Sequence, residues 1–240
     1  MKIFLGYDPR EALGTWIFQH SVLKRTSELV EFIPLDKMVL GQQLKDLPAI
    51  NSFIFARYMC AQVSGNGGPV LFVDGADQVC LADVAELKAL WQPDKAVQVV
   101  KRPPYTPTPV KFVGTEMESP NKAYPCKQWS SVMLINPGHF GWRRINWNET
   151  NSDYWHGFGW LSQNEIGELP DEWNRLVDEG DPVNGKILHW TLGVPAMHEY
   201  RNAPGAAIWW QEAKDAMNIC DKRWLAKLNL VSTTLNQWTT

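Results

Sequence analysis

Residues Val70 to Asp77 read VLFVDGAD: four apolar residues run into an aspartate, two small residues follow, and a second aspartate closes the stretch. A short, wholly apolar run that ends in a turn is what a strand buried on both faces looks like, and such strands belong to parallel sheets covered by helices. The carboxylates of Asp74 and Asp77 then stand where the strand leaves the core. Either they make an ordinary Asp-Gly turn or they are held there for a ligand.

The flanking sequence supplies the rest of the sheet. Lys2 to Leu5 is a second short apolar strand, ending at Gly6-Tyr7-Asp8. Pro9 suits the first turn of a helix that runs to about Thr26, with Ala12, Trp16, Phe18 and Leu23 among its apolar positions. Leu29 to Leu35 forms another strand, and Asn51 or Ser52 caps a helix through Phe55, Met59 and Val63 that Gly65 to Gly68 ends. Downstream, Asp83 followed by Glu86 fits the capping box of a helix to Leu90. Val97 to Val100 and Val132 to Ile135 are further strands, and Arg102 to Pro125, rich in Pro and Thr, is an irregular flap. Strands alternating with helices define an α/β class with an open, mostly parallel sheet flanked by helices. Ligands of such sheets bind beyond the carboxyl ends of the strands. Tyr7-Asp8 and Asp74 to Asp77 are therefore expected to face one crevice.

With 240 residues, 45% apolar and 20% charged, the chain has the composition of one folded domain with a sizeable core. The formal net charge of −3 supplies no overall basic field. A nucleic acid partner is possible through local pairs such as Arg143-Arg144 and Lys222-Arg223, but is not indicated. Cys60, Cys80, Cys126 and Cys220 are far apart and form no CxxC pair, which fits a reduced, cytoplasmic setting. The opening MKIFLGYDPRE breaks its apolar run too soon for a secretion signal, and no run approaches the roughly 20 residues that cross a bilayer. Thirteen Trp, clustered from Trp129 to Trp173 and again at Trp209, Trp210 and Trp224, leave two readings open: faces for sugars or bases, or large core residues.

His189, in KILHWTLGVP (Lys186 to Pro195), follows the apolar pair Ile187-Leu188 and so also stands at the end of a short strand. Asp74, Asp77 and His189 together make a mixed oxygen and nitrogen set suited to Mn²⁺ or Mg²⁺, with positions left open for phosphate oxygens. A structural zinc would want thiolates or further histidines at close spacing, which the sequence lacks. A packed histidine and a capping carboxylate are the simpler alternative.

The order GYD (Gly6 to Asp8), FIFARY (Phe53 to Tyr58), LFVDGADQVCLADVAEL (Leu71 to Leu87), SSVMLIN (Ser130 to Asn136), LPDEWNRL (Leu169 to Leu176) and ILHWTLGVP (Ile187 to Pro195) resembles the family 8 glycosyltransferases and their bacterial and phage relatives, over about residues 1 to 210. The resemblance implies a GT-A fold, a Rossmann-like, mostly parallel sheet in a single domain. About residues 1–100 would be its nucleotide-binding half, about 101–210 its donor-sugar and acceptor half, and 211–240 a C-terminal helical tail. It also implies metal-dependent transfer of a hexose from a UDP-sugar to a hydroxyl acceptor, with retention. Asp74, Asp77 and His189 would hold Mn²⁺ (or Mg²⁺) on the diphosphate, and Asp74 would also touch the ribose. Tyr7 and Asp8, with Arg10 beside them, would meet the nucleobase. Arg57 would reach the donor sugar and phosphate, and Ser130, Ser131 and Asn136 would wall the sugar. Gln163 and Asp153 are the nearest matches to the catalytic acidic-glutamine segment.

Three departures from the family pattern stand out. The acidic motif DGAD is one residue longer than DxD, so Asp77 reaches the metal by another path or from a wider turn. The lysine expected before Pro195 is replaced by Gly193-Val194, leaving Arg201 or Arg57 to supply that charge. The acidic-glutamine segment is not clear in WLSQNEIGELPDEWN. The acceptor expected from the resemblance is a glycan or a hydroxymethylated DNA base, met by the segment Phe140 to Trp160.

A retaining glycosidase would want two carboxyls about 5 Å apart across the bond, and no such pair can be named. A front-face transfer, in which the leaving phosphate helps deprotonate the acceptor, needs none. The alternative from another class is a catalytically silent protein that binds nucleotide sugars or carbohydrates. A metal-dependent nucleotidyltransferase would want a Gly- and Lys-rich first loop, which GYDPRE does not supply.

Overall fold

The computed structural model describes residues 1–36, 53–65, 67–103, 108–179 and 182–219. In chain order the strands are β1 (Lys2–Gly6), β2 (Glu31–Leu35), β3 (Val70–Val73), β4 (Gln78–Cys80), β5 (Val97–Val99), β6 (Val110–Lys111), β7 (Ser119–Pro120), β8 (Val132–Ile135), β9 (Ile166–Glu168), β10 (Arg175–Leu176) and β11 (Ile187–His189). The helices are α1 (Ala12–Leu23), α2 (Cys60–Val63), α3 (Val84–Lys88), α4 (Ser152–His156) and α5 (Ala206–Ile219). The main sheet has the order β2-β1-β3-β8-β5-β9. Its pairings are parallel except at β8, which runs against both β3 and β5. It is a mixed α/β single domain built on a mostly parallel sheet.

The apolar run that opens the acidic stretch is buried throughout, and its alternation explains why both faces are covered. Val70 and Phe72 join Phe4, Met133 and Ile135 in one core, whose outer wall includes Tyr58, Trp142, Trp155 and Trp160. Leu71 and Val73 point the other way, onto Phe18 and Val22 of α1 and Val84 and Leu87 of α3. The tryptophan cluster is therefore largely core: Trp155 is 2% exposed and stacks edge-on with Phe55 and Trp160 around Tyr58. Within the segment Phe140 to Trp160, Trp142, Trp155 and Trp160 are buried, while Phe140 is 62% exposed.

Several local expectations need correction. Asp83 does cap α3, accepting from the Ala85 N–H at 2.9 Å, but Glu86 turns outward to Lys186 and completes no capping box. The helix expected from Asn51 or Ser52 is, within the described residues, a 3-10 turn, Ala56–Met59, followed by the four-residue α2; residues 51 and 52 lie outside them. The flap is not wholly irregular, since β6 and β7 pair antiparallel inside it. α5 docks on α1 through Arg25 and Lys24 against Glu212 and Lys24 against Asp215, while residues 220–240, Cys220 included, lie outside the described residues. No described helix is long and apolar enough to cross a membrane, and Cys60, Cys80 and Cys126 are free thiols.

A small sheet, β10-β11-β4, carries the late histidine to the acidic loop: β11 pairs antiparallel with β4, placing His189 opposite Gln78. Behind that loop stands Gly14 of α1, where a Cβ would lie 1.9 Å from the Ala76 carbonyl oxygen. A helix-interior Gly→Ala change ordinarily gains about 1 kcal/mol. Gly14→Ala is expected instead to lose roughly 1–2 kcal/mol through overpacking against backbone, as a lowered thermal midpoint. A stabilised variant would show that α1 does not brace the loop.

Candidate functional site

The acidic loop is tied down at both ends. The Asp74 N–H donates to the Ser131 carbonyl at 3.0 Å, and the Trp190 N–H donates to the Asp77 carbonyl at 2.9 Å. Between them Gly75, at φ +76°, turns the chain in the left-handed region that other residues resist. This accommodates the extra residue of DGAD: the wider turn lets Asp77 reach His189 directly, with its Oδ2 3.1 Å from Nε2. Asp74, Asp77 and His189 each offer one ligand atom, all within 4.8 Å of one another.

The imidazole is held in a ligating orientation. Asn174 donates its amide to the Gln128 carbonyl at 3.0 Å and to Ser131 Oγ at 2.9 Å, so its Oδ1 is the atom that faces His189 Nδ1 at 2.9 Å. That oxygen can only accept, so Nδ1 carries a proton, and Nε2 points toward the carboxylates. Burial disfavours the imidazolium, but Asp77 and Asp74 outweigh it and raise the pKa of His189 above its ordinary value. Burial likewise works against the Asp77 carboxylate, but His189 prevails and holds it low. At Asp74 burial dominates despite Arg57 and lifts the carboxyl to about 6.

These residues fit a divalent cation. Asp77 Oδ1 is buried without a hydrogen-bond partner, a cost that native structures rarely leave unmet. Asp74 Oδ1 meets the Arg57 guanidinium at 2.9 Å. A metal would take the bare oxygen and replace the Nε2 proton, as ligation to histidine requires. Asn174 then acts behind the ligand. Asn174→Leu is expected to weaken Mn²⁺ affinity about 10- to 100-fold, read by electron paramagnetic resonance titration, whereas Asn174→Asp, which keeps an acceptor for Nδ1, retains most of it. Equal affinity in all three proteins would remove Asn174 from the site.

The cluster opens into a crevice lined among others by Glu11, Arg57, Asp74, Asp77, Lys111, Tyr124, Ser130 and His156. Arg57 is buried between the Phe53 and Phe72 rings, 5.3 and 5.2 Å from their centroids, and donates to the Ser130 carbonyl at 2.8 Å. Burial, with Asp77, Asp8 and Asp74 adding to it, raises Glu11 to about 8. Burial, helped by Arg57, Lys111 and Lys127, lowers His156 to about 4, and its ring stacks on Tyr124 at 4.1 Å.

Other expected site residues are placed differently. Asp8 caps the turn Pro9–Glu11 and binds Arg10 through both carboxylate oxygens, at 2.9 and 2.7 Å; neither these two nor Tyr7 is among the residues lining the crevice. Ser131 works through its backbone and hydroxyl, bracing Asp74 and Asn174. Asn136 is at the wrong end of the sheet: because β8 is antiparallel, Val132 lies opposite Val73 and Ile135 opposite Val70, so Asn136 follows the end remote from Asp74. Gln163 precedes β9, whose Ile166 pairs Val97 at that same remote end. Asp153 is exposed on α4, the helix whose last residue, His156, does reach the crevice. Arg201 packs over Trp210 and is not among the residues that line the crevice. Glu11, Lys111, Tyr124 and His156 escaped the sequence reading. None lies in an apolar pattern with a marked end, and only the position of Glu11, three residues after Asp8, hinted at a shared crevice.

The fold is that of the GT-A glycosyltransferases. The chain superimposes on a crystal structure of the galactosyltransferase LgtC, in complex with donor and acceptor sugar analogs, with a TM-score of 0.61 at 15% identity, covering 95% of this chain and 100% of that one. It matches the glycosyltransferase GlyE of Streptococcus pneumoniae with a TM-score of 0.59 at 15% identity, over 96% of this chain and 62% of that one. In sequence it is 32% identical over 228 residues to Protein CDI of Arabidopsis thaliana, covering 89% of this chain and 86% of that protein. The chain belongs to the family of Protein CDI. No protein-family model matches it.

Proposed function

We propose that this chain is a metal-dependent glycosyltransferase that moves a hexose from a UDP-sugar to a hydroxyl of a glycan acceptor, with retention. The observation that carries the reading is the Asp74, Asp77 and His189 cluster, with one carboxylate oxygen left bare, at the carboxyl end of β3 in a GT-A fold. Mn²⁺ or Mg²⁺ held there supplies Lewis-acid stabilisation of charge growing on the leaving diphosphate.

The side chains around it divide the remaining work. Arg57, fixed by Asp74 and Ser130, offers its guanidinium where donor sugar and phosphate meet. Tyr124 and His156 also line the crevice; the neutral imidazole can receive a hydrogen bond from a sugar hydroxyl without adding charge. Asp74 and Asp77 serve the cation, and burial, with Asp77, Asp8 and Asp74 adding to it, raises the third crevice carboxyl, Glu11, to about 8 in the metal-free protein, which disfavours the carboxylate a nucleophile needs. That distribution favours a front-face transfer, in which the leaving phosphate helps take the acceptor proton, over double displacement through an enzyme carboxylate.

The test is release of UDP from UDP-hexoses, with Mn²⁺, with Mg²⁺ and with a chelator. Metal-dependent release supports the proposal. Tight UDP-sugar binding with no metal-dependent release from any donor would favour the silent binding protein.

A further inference from the structure

We propose that Lys111, carried into the crevice by the β6–β7 hairpin, is the cation that grips the diphosphate of the nucleotide donor; the inference rests on the nucleotide-sugar reading above. Lys111 lines the crevice together with Arg57, Asp74 and Asp77. Its ammonium stands 4.8 Å over the Phe112 ring and, among the described residues, makes no ion pair. The two aspartates are already engaged, Asp74 by Arg57 and Asp77 by His189. Burial lowers the pKa of Lys111, although Asp77, Asp74 and Glu11 act in the opposite sense. An ammonium half-withdrawn from water with no bonded counter-ion is a ready partner for an incoming anion.

The backbone fixes where this amine stands. The Phe112 N–H donates to the Leu192 carbonyl at 2.7 Å, and the Val113 N–H donates to the Tyr200 hydroxyl at 3.1 Å. Phe112 itself is 3% exposed, so the hairpin is anchored beside the residue it presents. The anchor is the segment that follows His189, where Gly193, at φ +156°, has no room for a Cβ against Tyr200. The hairpin thus brings a lysine to a segment that carries none of its own.

Charge supports the assignment. Of the Arg and Lys side chains that line the crevice among the described residues, Arg57 is already paired with Asp74, which leaves Lys111 to meet an incoming diphosphate. Lys127 is otherwise committed, donating to Asn121 Oδ1 at 2.5 Å and to the Lys122 carbonyl at 3.0 Å.

Calorimetric titration of the wild type, Lys111→Met and Lys111→Arg, each with saturating Mn²⁺, tests this with inorganic pyrophosphate, UDP and uridine as probes. Lys111→Met is expected to weaken pyrophosphate and UDP by about tenfold or more, while Lys111→Arg stays within about threefold of wild type and uridine is unaffected. Affinities for pyrophosphate and UDP within about twofold of wild type in Lys111→Met would overturn the proposal. So would a gain in Mn²⁺ affinity with pyrophosphate binding unchanged, because Lys111 would then be only a counter-charge to the acidic loop. Pyrophosphate binding that depends on Lys111, in a protein that binds neither UDP nor uridine, would sink the UDP reading and leave the diphosphate grip standing. A wild type that binds no pyrophosphate would overturn the grip itself.

Discussion

Asp77→Asn is expected to lower Mn²⁺-dependent UDP release by about a thousandfold while leaving the protein folded. The estimate follows from the several kcal/mol that a Lewis-acid metal contributes, at about 1.4 kcal/mol per factor of ten. Asparagine keeps the shape of the side chain and leaves the Asp77 carbonyl to accept from Trp190, so the turn should survive. What disappears is the charge that binds the ion and holds the proton on His189. Electron paramagnetic resonance should show weakened Mn²⁺ binding in parallel with the lost activity. Full activity would return Asp77 to the role of an ordinary turn residue.

The same substitution has a pH signature when metal is chelated. Asp77 has a lowered folded-state pKa, so its contribution to stability is present above its unfolded value and lost as the pH falls through the folded one. His189 has a raised one, so its contribution is present below its unfolded value and lost as the pH rises through the folded one. The thermal midpoints of wild type and Asp77→Asn should therefore differ most between about pH 4 and 6.5. A difference that grows steadily toward alkaline pH would contradict the pairing.

Arg57→Met is expected to be the more damaging change for the fold. It removes a guanidinium 7% exposed, with its bonds to Ser130, and leaves Asp74 buried beside Asp77 without its partner. Breaking a buried pair from one side costs about 3–5 kcal/mol, which for a domain of this size is roughly 6–20 °C in thermal midpoint. Mn²⁺ should recover part of that loss, because the ion neutralises the stranded carboxylate. Activity should fall about a hundredfold or more even where the variant is fully folded, for want of a charge-assisted hydrogen bond to the donor. A loss of stability that Mn²⁺ does not reduce would separate Arg57 from the metal cluster.

The α/β class and the strands β1, β3 and β8 were legible in the sequence because buried strands are written as unbroken apolar runs. The two aspartates and His189 were legible for a related reason: each marks the end of such a run. Strand direction is not written in a run of apolar residues. VMLI reads the same whichever way it crosses the sheet, and that is why Asn136 was expected at the site and stands at the opposite end. Gln163 was misplaced by the same uncertainty about which end of a neighbouring strand it enters. Asp8 and Arg10 bond to one another, a local pairing that spacing alone does not reveal. Lys111 was hidden in a Pro- and Thr-rich segment whose two-residue strands owe their existence to long-range anchors at Leu192 and Tyr200.

The pairing of His189 with Asp77 joins positions 112 residues apart. During synthesis, at about 5–20 residues per second, the acidic loop therefore emerges on the order of ten seconds before the histidine that completes its cluster. Gly14, the Ser131 carbonyl and Arg57 are all made before β11, so the nascent chain can brace and partly neutralise the two acids but cannot offer the ring. Late addition of β11 beside β4 brings the imidazole, and with it Leu192 and Tyr200, on which the Lys111 hairpin hangs. The three-residue cluster is therefore complete only once β11 has been made.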